Sequence, residues 1–156
     1  MKEIYQSTKV IDGFSTVFRQ WRATGTHCKF LHGYSLSFKI VFEGELDKRY
    51  WVWDFGGMKR AKMKIDGKNP KEWFDFMFDH TTIIADDDPH LPVFLEMENK
   101  GLIQLRTLPA VGAEKFAEYV FKKVGKFISE ETEGRVRVVS VEAREHEKNS
   151  AIFQIT

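Results

Sequence analysis

The succession of periodic segments predicts an α+β domain. Two strand-like runs open the chain, helical runs follow, and two more strand-like runs close it. The runs near the ends alternate every second residue, whereas residues 112–128 repeat every three or four. Strands pairing at either end, with helices grouped between them, give an antiparallel four-stranded sheet carrying its helices on one face.

The first strand spans residues 4–21 and is interrupted at Asp12-Gly13, with Phe14, Thr16 and Phe18 on one face. Arg22 to Thr26, containing Gly25, is a loop. The second strand shows the clearest alternation. His32, Tyr34, Leu36, Phe38, Ile40 and Phe42 occupy the even positions, so His32 and Tyr34 point the same way as core residues.

Asp54 can cap a helix running to about Ile65, although Gly56 and Gly57 weaken it. Asn69-Pro70-Lys71-Glu72 is a firmer start, with an Asn cap, proline at the first helical position and Glu three residues after the cap. That helix should turn Trp73, Phe76 and Met77 inward and end near Asp79. In the long helix, Ala113, Phe116, Ala117, Val120, Phe121, Val124, Phe127 and Ile128 form one buried stripe. After Gly134 comes a valine-rich strand in which Val139, Val141, Ala143 and Glu145 share a face. A short loop at residues 146–149 joins it to a last strand carrying Ala151, Phe153 and Ile155.

No repeat at a fixed period and no low-complexity linker divides the chain, so residues 1–156 form one domain. The net charge of +1 and the lack of a basic run argue against a nucleic-acid partner. No apolar run reaches the length of a membrane span, and the first residues lack the pattern of a signal peptide. The single cysteine, Cys28, excludes an internal disulfide and suits a reducing compartment. These features predict a cytoplasmic protein without a membrane partner.

Four places could carry chemistry. Cys28 lies four residues before His32 at a loop-to-strand junction, as either a reactive thiolate or an inert buried thiol. Asp79-His80 is an aspartate beside an imidazole, or simply a polar helix end. Glu145 puts a carboxylate on the apolar face of a strand, which is costly without a partner. Asp86-Asp87-Asp88-Pro89-His90 reads as a solvated turn rather than a cation site.

Taken together, these residues resemble the 6-pyruvoyl-tetrahydropterin synthase / 6-carboxytetrahydropterin synthase family. Its Cys-x-x-x-His-Gly-His run is matched by Cys28-Lys29-Phe30-Leu31-His32-Gly33-Tyr34, and its first-strand Phe-Ser-Ala-Ala-His-Arg by Phe14-Ser15-Thr16-Val17-Phe18-Arg19. An Asp-Phe pair, an Asp-His pair and a Ser/Thr-Glu step are matched in order by Asp54-Phe55, Asp79-His80 and, roughly, Ala113-Glu114. A Glu-Thr step is matched by Glu145-His146, with Phe153 downstream.

The resemblance implies the tunnelling fold (T-fold), in which strand pairs from several subunits close an oligomeric barrel, usually a homohexamer, with sites between subunits. It implies 7,8-dihydroneopterin triphosphate as substrate. Within that branch the chain looks like a 6-carboxy-5,6,7,8-tetrahydropterin synthase of 7-deazaguanine biosynthesis. A 6-pyruvoyl-forming or other side-chain lyase, or a non-catalytic pterin-binding homologue, is the alternative. By the same resemblance Cys28 is the proton-transfer thiol, Asp79 and His80 the relay, and Glu145 the anchor of the pterin's amino-pyrimidine edge. The family's zinc is held by three histidines. Two of those positions are Phe18 and Tyr34 here, so a zinc site would rely on His32 with His27, Tyr34 or Cys28.

Overall fold

The computed structural model describes residues 1–156. Six strands form one sheet in the order β4-β3-β1-β2-β5-β6. They are β1 (Tyr5–Phe18), β2 (His32–Gly44), β3 (Thr81–Ala85), β4 (Leu105–Leu108), β5 (Val136–His146) and β6 (Asn149–Gln154). The helices are α1 (Gly57–Arg60), α2 (Pro70–Phe78), α3 (Leu91–Asn99) and α4 (Ala113–Glu131).

The sequence indicated four strands; β3 and β4 are the additions. Both run parallel to their neighbours, β3 beside β1 and β4 beside β3, so the sheet is mixed rather than antiparallel throughout. All five residues of β3 are buried. Thr81-Thr82-Ile83-Ile84-Ala85 therefore lacks the alternation that marks a strand with one wet face.

Helices lie on both faces, not one. Ile83 joins the main core, whereas its neighbour Ile84 joins a smaller cluster with Phe94 of α3 and Leu105 of β4. Adjacent strand residues point to opposite faces, so α3 covers the side away from α2 and α4.

The main core lies between the sheet and α2 plus α4. Leu36, Phe38, Ile40 and Phe42 of β2 are fully buried, as the alternation requires. In α4 the expected stripe is buried except Phe121, which is half-buried and meets Phe153 of β6 at 4.9 Å. The helix runs one turn beyond Ile128 before its chain reversal at Glu133 and Gly134, both with positive φ.

In α2, Asn69 accepts from the Glu72 N–H at 2.8 Å and donates to its carboxylate at 3.0 Å. Trp73 and Met77 are buried as expected, but Phe76 is 44% exposed. Its ring packs under Arg106 and Lys68 at 3.8 and 4.2 Å. α1 is a single turn, not a helix to Ile65. Asp54 accepts from the Gly56 N–H, and beyond Arg60 the amides of Lys62 and Met63 donate to the Glu131 carboxylate instead of continuing a helix.

Two bulges set the faces of the sheet. One between Ile11 and Phe14 of β1 absorbs Asp12-Gly13. The other, in β5 opposite Val41 and Phe42, throws Val139 out of register. Val136, Val138, Val141 and Ala143 are therefore the buried residues of β5, and Val139 leaves the face assigned to it.

Candidate functional site

The site grows from the ends of β1 and β2 where those strands pair. Thr16 lies opposite Tyr34 and Phe18 opposite His32. Between the strands, residues 19–31 form a loop closed by the Gln20 N–H donating to the Cys28 carbonyl at 2.8 Å. A 3-10 turn, His27–Lys29, presents Cys28, with Thr26 Oγ1 accepting from the Cys28 N–H at 3.2 Å. Arg19 pins this loop. It donates to Asp88 through Nε at 2.7 Å and Nη2 at 3.0 Å, and to the Lys29 carbonyl at 3.3 Å.

Asp86, Asp87, Pro89 and His90 are exposed in a turn, as expected, but Asp88 within it is only 4% exposed. Burial works to raise the Asp88 carboxyl, but Arg19 and the His90 N–H outweigh it and hold it low. Asp87 accepts from Trp21 and Arg22 of the same loop. Arg19 and Asp88 stand 69 positions apart, so the sequence alone gives no signal for this clamp.

Inside the clamp, Phe18 and Tyr34 stack face to face, with ring centroids 4.1 Å apart and planes 14° from parallel. Phe116 of α4 meets Phe18 edge-on at 4.9 Å. The Tyr34 hydroxyl is hydrogen-bonded to His32 Nε2, and His32 Nδ1 lies 3.0 Å from the Phe30 carbonyl. A carbonyl only accepts, so Nδ1 carries the proton, Nε2 offers its lone pair and the phenol donates.

Glu145 closes the far side. Its charge is felt by Tyr34, and it in turn feels Glu114, His146 and His32, which puts the carboxylate beside Tyr34. A bulge between Arg144 and His146 against β6 falls at Glu145. The carboxylate takes no hydrogen bond or ion pair from the chain; Arg144 faces away and binds Glu142 at 3.0 Å. Burial raises the Glu145 carboxyl first, the Glu114 charge raises it further, and His146 and His32 pull against them. The Tyr34 phenol is pushed up to about 12 by burial, then by Glu145 and Cys28. Cys28, His32, Tyr34, Glu145 and Glu114 thus share one electrostatic neighbourhood. In the sequence Glu114 stands in Ala113-Glu114, the rough match to the Ser/Thr-Glu step, and it is the first-turn acid of α4.

Asp79 and His80 form their own pair. His80 Nδ1 is 3.1 Å from Asp79 Oδ2, and Asp79 Oδ1 accepts from the Ser15 N–H at 3.2 Å. Burial tends to raise the Asp79 carboxyl, but the Ser15 N–H and His80 bring it below the usual range. The His80 side chain is 75% exposed and its backbone φ is +57°. The other charge felt by Asp79 is Lys71, not a member of the Glu145 group. No hydrogen bond or ion pair joins this pair to Cys28 within one chain.

The residues present do not fit a zinc ion. Phe18 has no donor atom, both ring nitrogens of His32 are engaged, and the phenol is held protonated. His27 is exposed, 6.4 Å from Phe30 between ring centroids. No three His, Cys, Asp or Glu side chains come together as a ligand set. Of the substitute set, His32 and Tyr34 are bonded to each other with the Cys28 charge felt nearby, and His27 is exposed on the loop.

Comparisons with known proteins agree with this architecture. The family described as 6-pyruvoyl tetrahydropterin synthase matches residues 8–155. No curated protein matches the sequence. Among solved structures, an uncharacterized protein from Wolinella succinogenes superposes with a TM-score of 0.80 at 21% identity, covering 98% of this chain and 99% of that one. The Caenorhabditis elegans 6-pyruvoyl tetrahydropterin synthase gives 0.62 at 19% identity, covering 99% and 98%. The Plasmodium vivax 6-pyruvoyltetrahydropterin synthase gives 0.61 at 14%, covering 97% and 99%. No helix is long and apolar enough to cross a membrane.

Proposed function

The chain belongs to the 6-pyruvoyl tetrahydropterin synthase family, and from that premise we propose that it is a pterin side-chain lyase of the 6-carboxytetrahydropterin synthase type. The observation that carries this reading is Glu145: a half-buried carboxylate without a protein partner, beside Tyr34 and His32. A pterin's amino group and ring N–H are two parallel donors, and a carboxylate accepts such a pair side by side. Occupation by that edge would satisfy a group the fold leaves unsatisfied.

In this reading the substrate is 7,8-dihydroneopterin triphosphate, one water is consumed, and the products are 6-carboxytetrahydropterin, acetaldehyde and triphosphate. Cys28 moves a proton at the C6 side chain from its 3-10 turn. Asp79 accepts from His80 Nδ1–H, which frees Nε2 as the base of the second proton transfer. His80 is exposed and lies outside the Cys28 group, so a second subunit would bring it to the site. A homo-oligomer, a hexamer by family resemblance, supplies that subunit. The two sheet edges, β4 and β6, are available for pairing.

Incubation with dihydroneopterin triphosphate and identification of the product tests the reading. Acetaldehyde with the 6-carboxy product supports it; a 6-pyruvoyl product moves the chain to the sister activity. A second reading, a pterin-binding protein without turnover, is favoured by the Phe18–Tyr34 stack where the family places metal. Tight pterin binding with no product would select it.

A further inference from the structure

The side chains at the positions that family resemblance assigns to zinc have found partners inside the protein. Phe18 is 1% exposed and held between Tyr34 at 4.1 Å and Phe116 at 4.9 Å. Its ring lies where β1 and β2 pair, opposite His32 in register, and Tyr34 is opposite Thr16. The two aromatic rings together occupy the space at the strand ends. His32 is fixed from both sides, donating to the Phe30 carbonyl through Nδ1 and accepting from Tyr34 through Nε2. An ion could gain Nε2 only by displacing the phenol, and Nδ1 only by displacing the carbonyl. It would then have a single protein ligand, where a catalytic zinc usually keeps three.

We propose that this site is organised without a metal at that place, and that the Tyr34 hydroxyl, aligned by His32, is the group that meets a hydroxyl on the ligand's side chain. The second half rests on the pterin reading above. A phenol that donates to Nε2 keeps acceptor capacity on its oxygen. It can therefore accept a hydrogen bond from an incoming O–H without disturbing His32. The chain carbonyl–imidazole–phenol fixes the direction of each hydrogen bond, so the acceptor offered to the ligand is defined before the ligand arrives. Glu145 lies near enough for its charge to be felt by Tyr34 and would hold the ring end while Tyr34 holds the side-chain end. Phe18 acts through Tyr34 as a positioning residue: its ring keeps the phenol flat against the core.

Two measurements test this. The first uses zinc alone. Protein purified without a histidine tag is titrated by calorimetry, beside His32→Ala and the double variant Phe18→His with Tyr34→His. The proposal expects no stoichiometric site in the wild type and one equivalent in the double variant. One equivalent in the wild type that His32→Ala abolishes overturns it. If the double variant does not fold, the wild type and His32→Ala still decide the point.

The second compares neopterin, whose side chain carries hydroxyls, with 6-methylpterin, which has none. Tyr34→Phe preserves the stack and removes only the hydroxyl. It should weaken neopterin about tenfold, the scale of one net hydrogen bond, and leave 6-methylpterin unchanged. Equal losses for both ligands, or no loss for either, overturn the contact. Failure of the wild type to bind either pterin overturns the pterin reading and this contact with it, while the zinc titration decides metal exclusion by itself.

Discussion

Arg19 grips Asp88 through two parallel hydrogen bonds, at 2.7 and 3.0 Å, and so ties the Cys28 loop to the turn after β3. The Asp88 side chain is fully buried and that of Arg19 is 19% exposed. Removing one partner of such a pair strands the other charge.

Arg19→Met should therefore destabilise the protein by about 3–5 kcal/mol, read from urea denaturation. The pH dependence has a defined sign. Asp88 is held below its ordinary value of about 3.9. Its contribution to stability is present above that value and is lost as pH falls through the lowered one. Wild type should lose stability over this acidic window, and Arg19→Met should lose less. Parallel pH curves for the two proteins would show that Asp88 draws its stability from elsewhere.

Glu145 should behave in the opposite way. Its carboxyl is raised by burial and by Glu114, so the charged form penalises folding. The penalty is complete above the raised folded value and vanishes below the ordinary glutamate value of about 4.3. Glu145→Gln should be at least as stable as wild type near neutral pH, with the difference shrinking as pH falls. A variant that melts well below wild type at pH 7 would mean that the carboxylate is a structural group.

Asp79–His80 and Cys28 share no hydrogen bond within one chain, and the proposed site between subunits predicts complementation. Cys28→Ala and His80→Ala should each abolish turnover while leaving the thermal midpoint within a few degrees of wild type. Mixed after partial denaturation and reassembly, the two dead proteins should regain activity that neither shows alone. Continued inactivity of the mixture, with mixed oligomers demonstrated, would place both residues of one site on the same chain.

How much of this was legible beforehand follows from the periodicities. β1, β2, α2, α4 and the β5–β6 hairpin each have one wet and one dry face, and their sequences show it. β3 is dry on both sides, β4 has four residues and α3 buries only Phe94, so none writes a pattern long enough to read. The bulge that displaced Val139 cannot be seen in β5 alone, because it is defined by the pairing with Val41 and Phe42. At the site, Cys28, His32, Tyr34 and Glu145 were legible from motif spacing and strand alternation. The Phe18–Tyr34 stack and the Arg19–Asp88 clamp were not, because each joins residues from separate segments.

The central claim is that Glu145 anchors a pterin, and calorimetric titration of wild type and Glu145→Gln with one pterin, such as biopterin, tests it most directly. The amide replaces one acceptor with a donor that would face the ligand's donors. Affinity should fall at least about a hundredfold, about 2.7 kcal/mol at 1.36 kcal/mol per decade. The loss should be the same in protein stripped of metal with a chelator. Equal affinity of the two proteins for the same pterin would contradict the account.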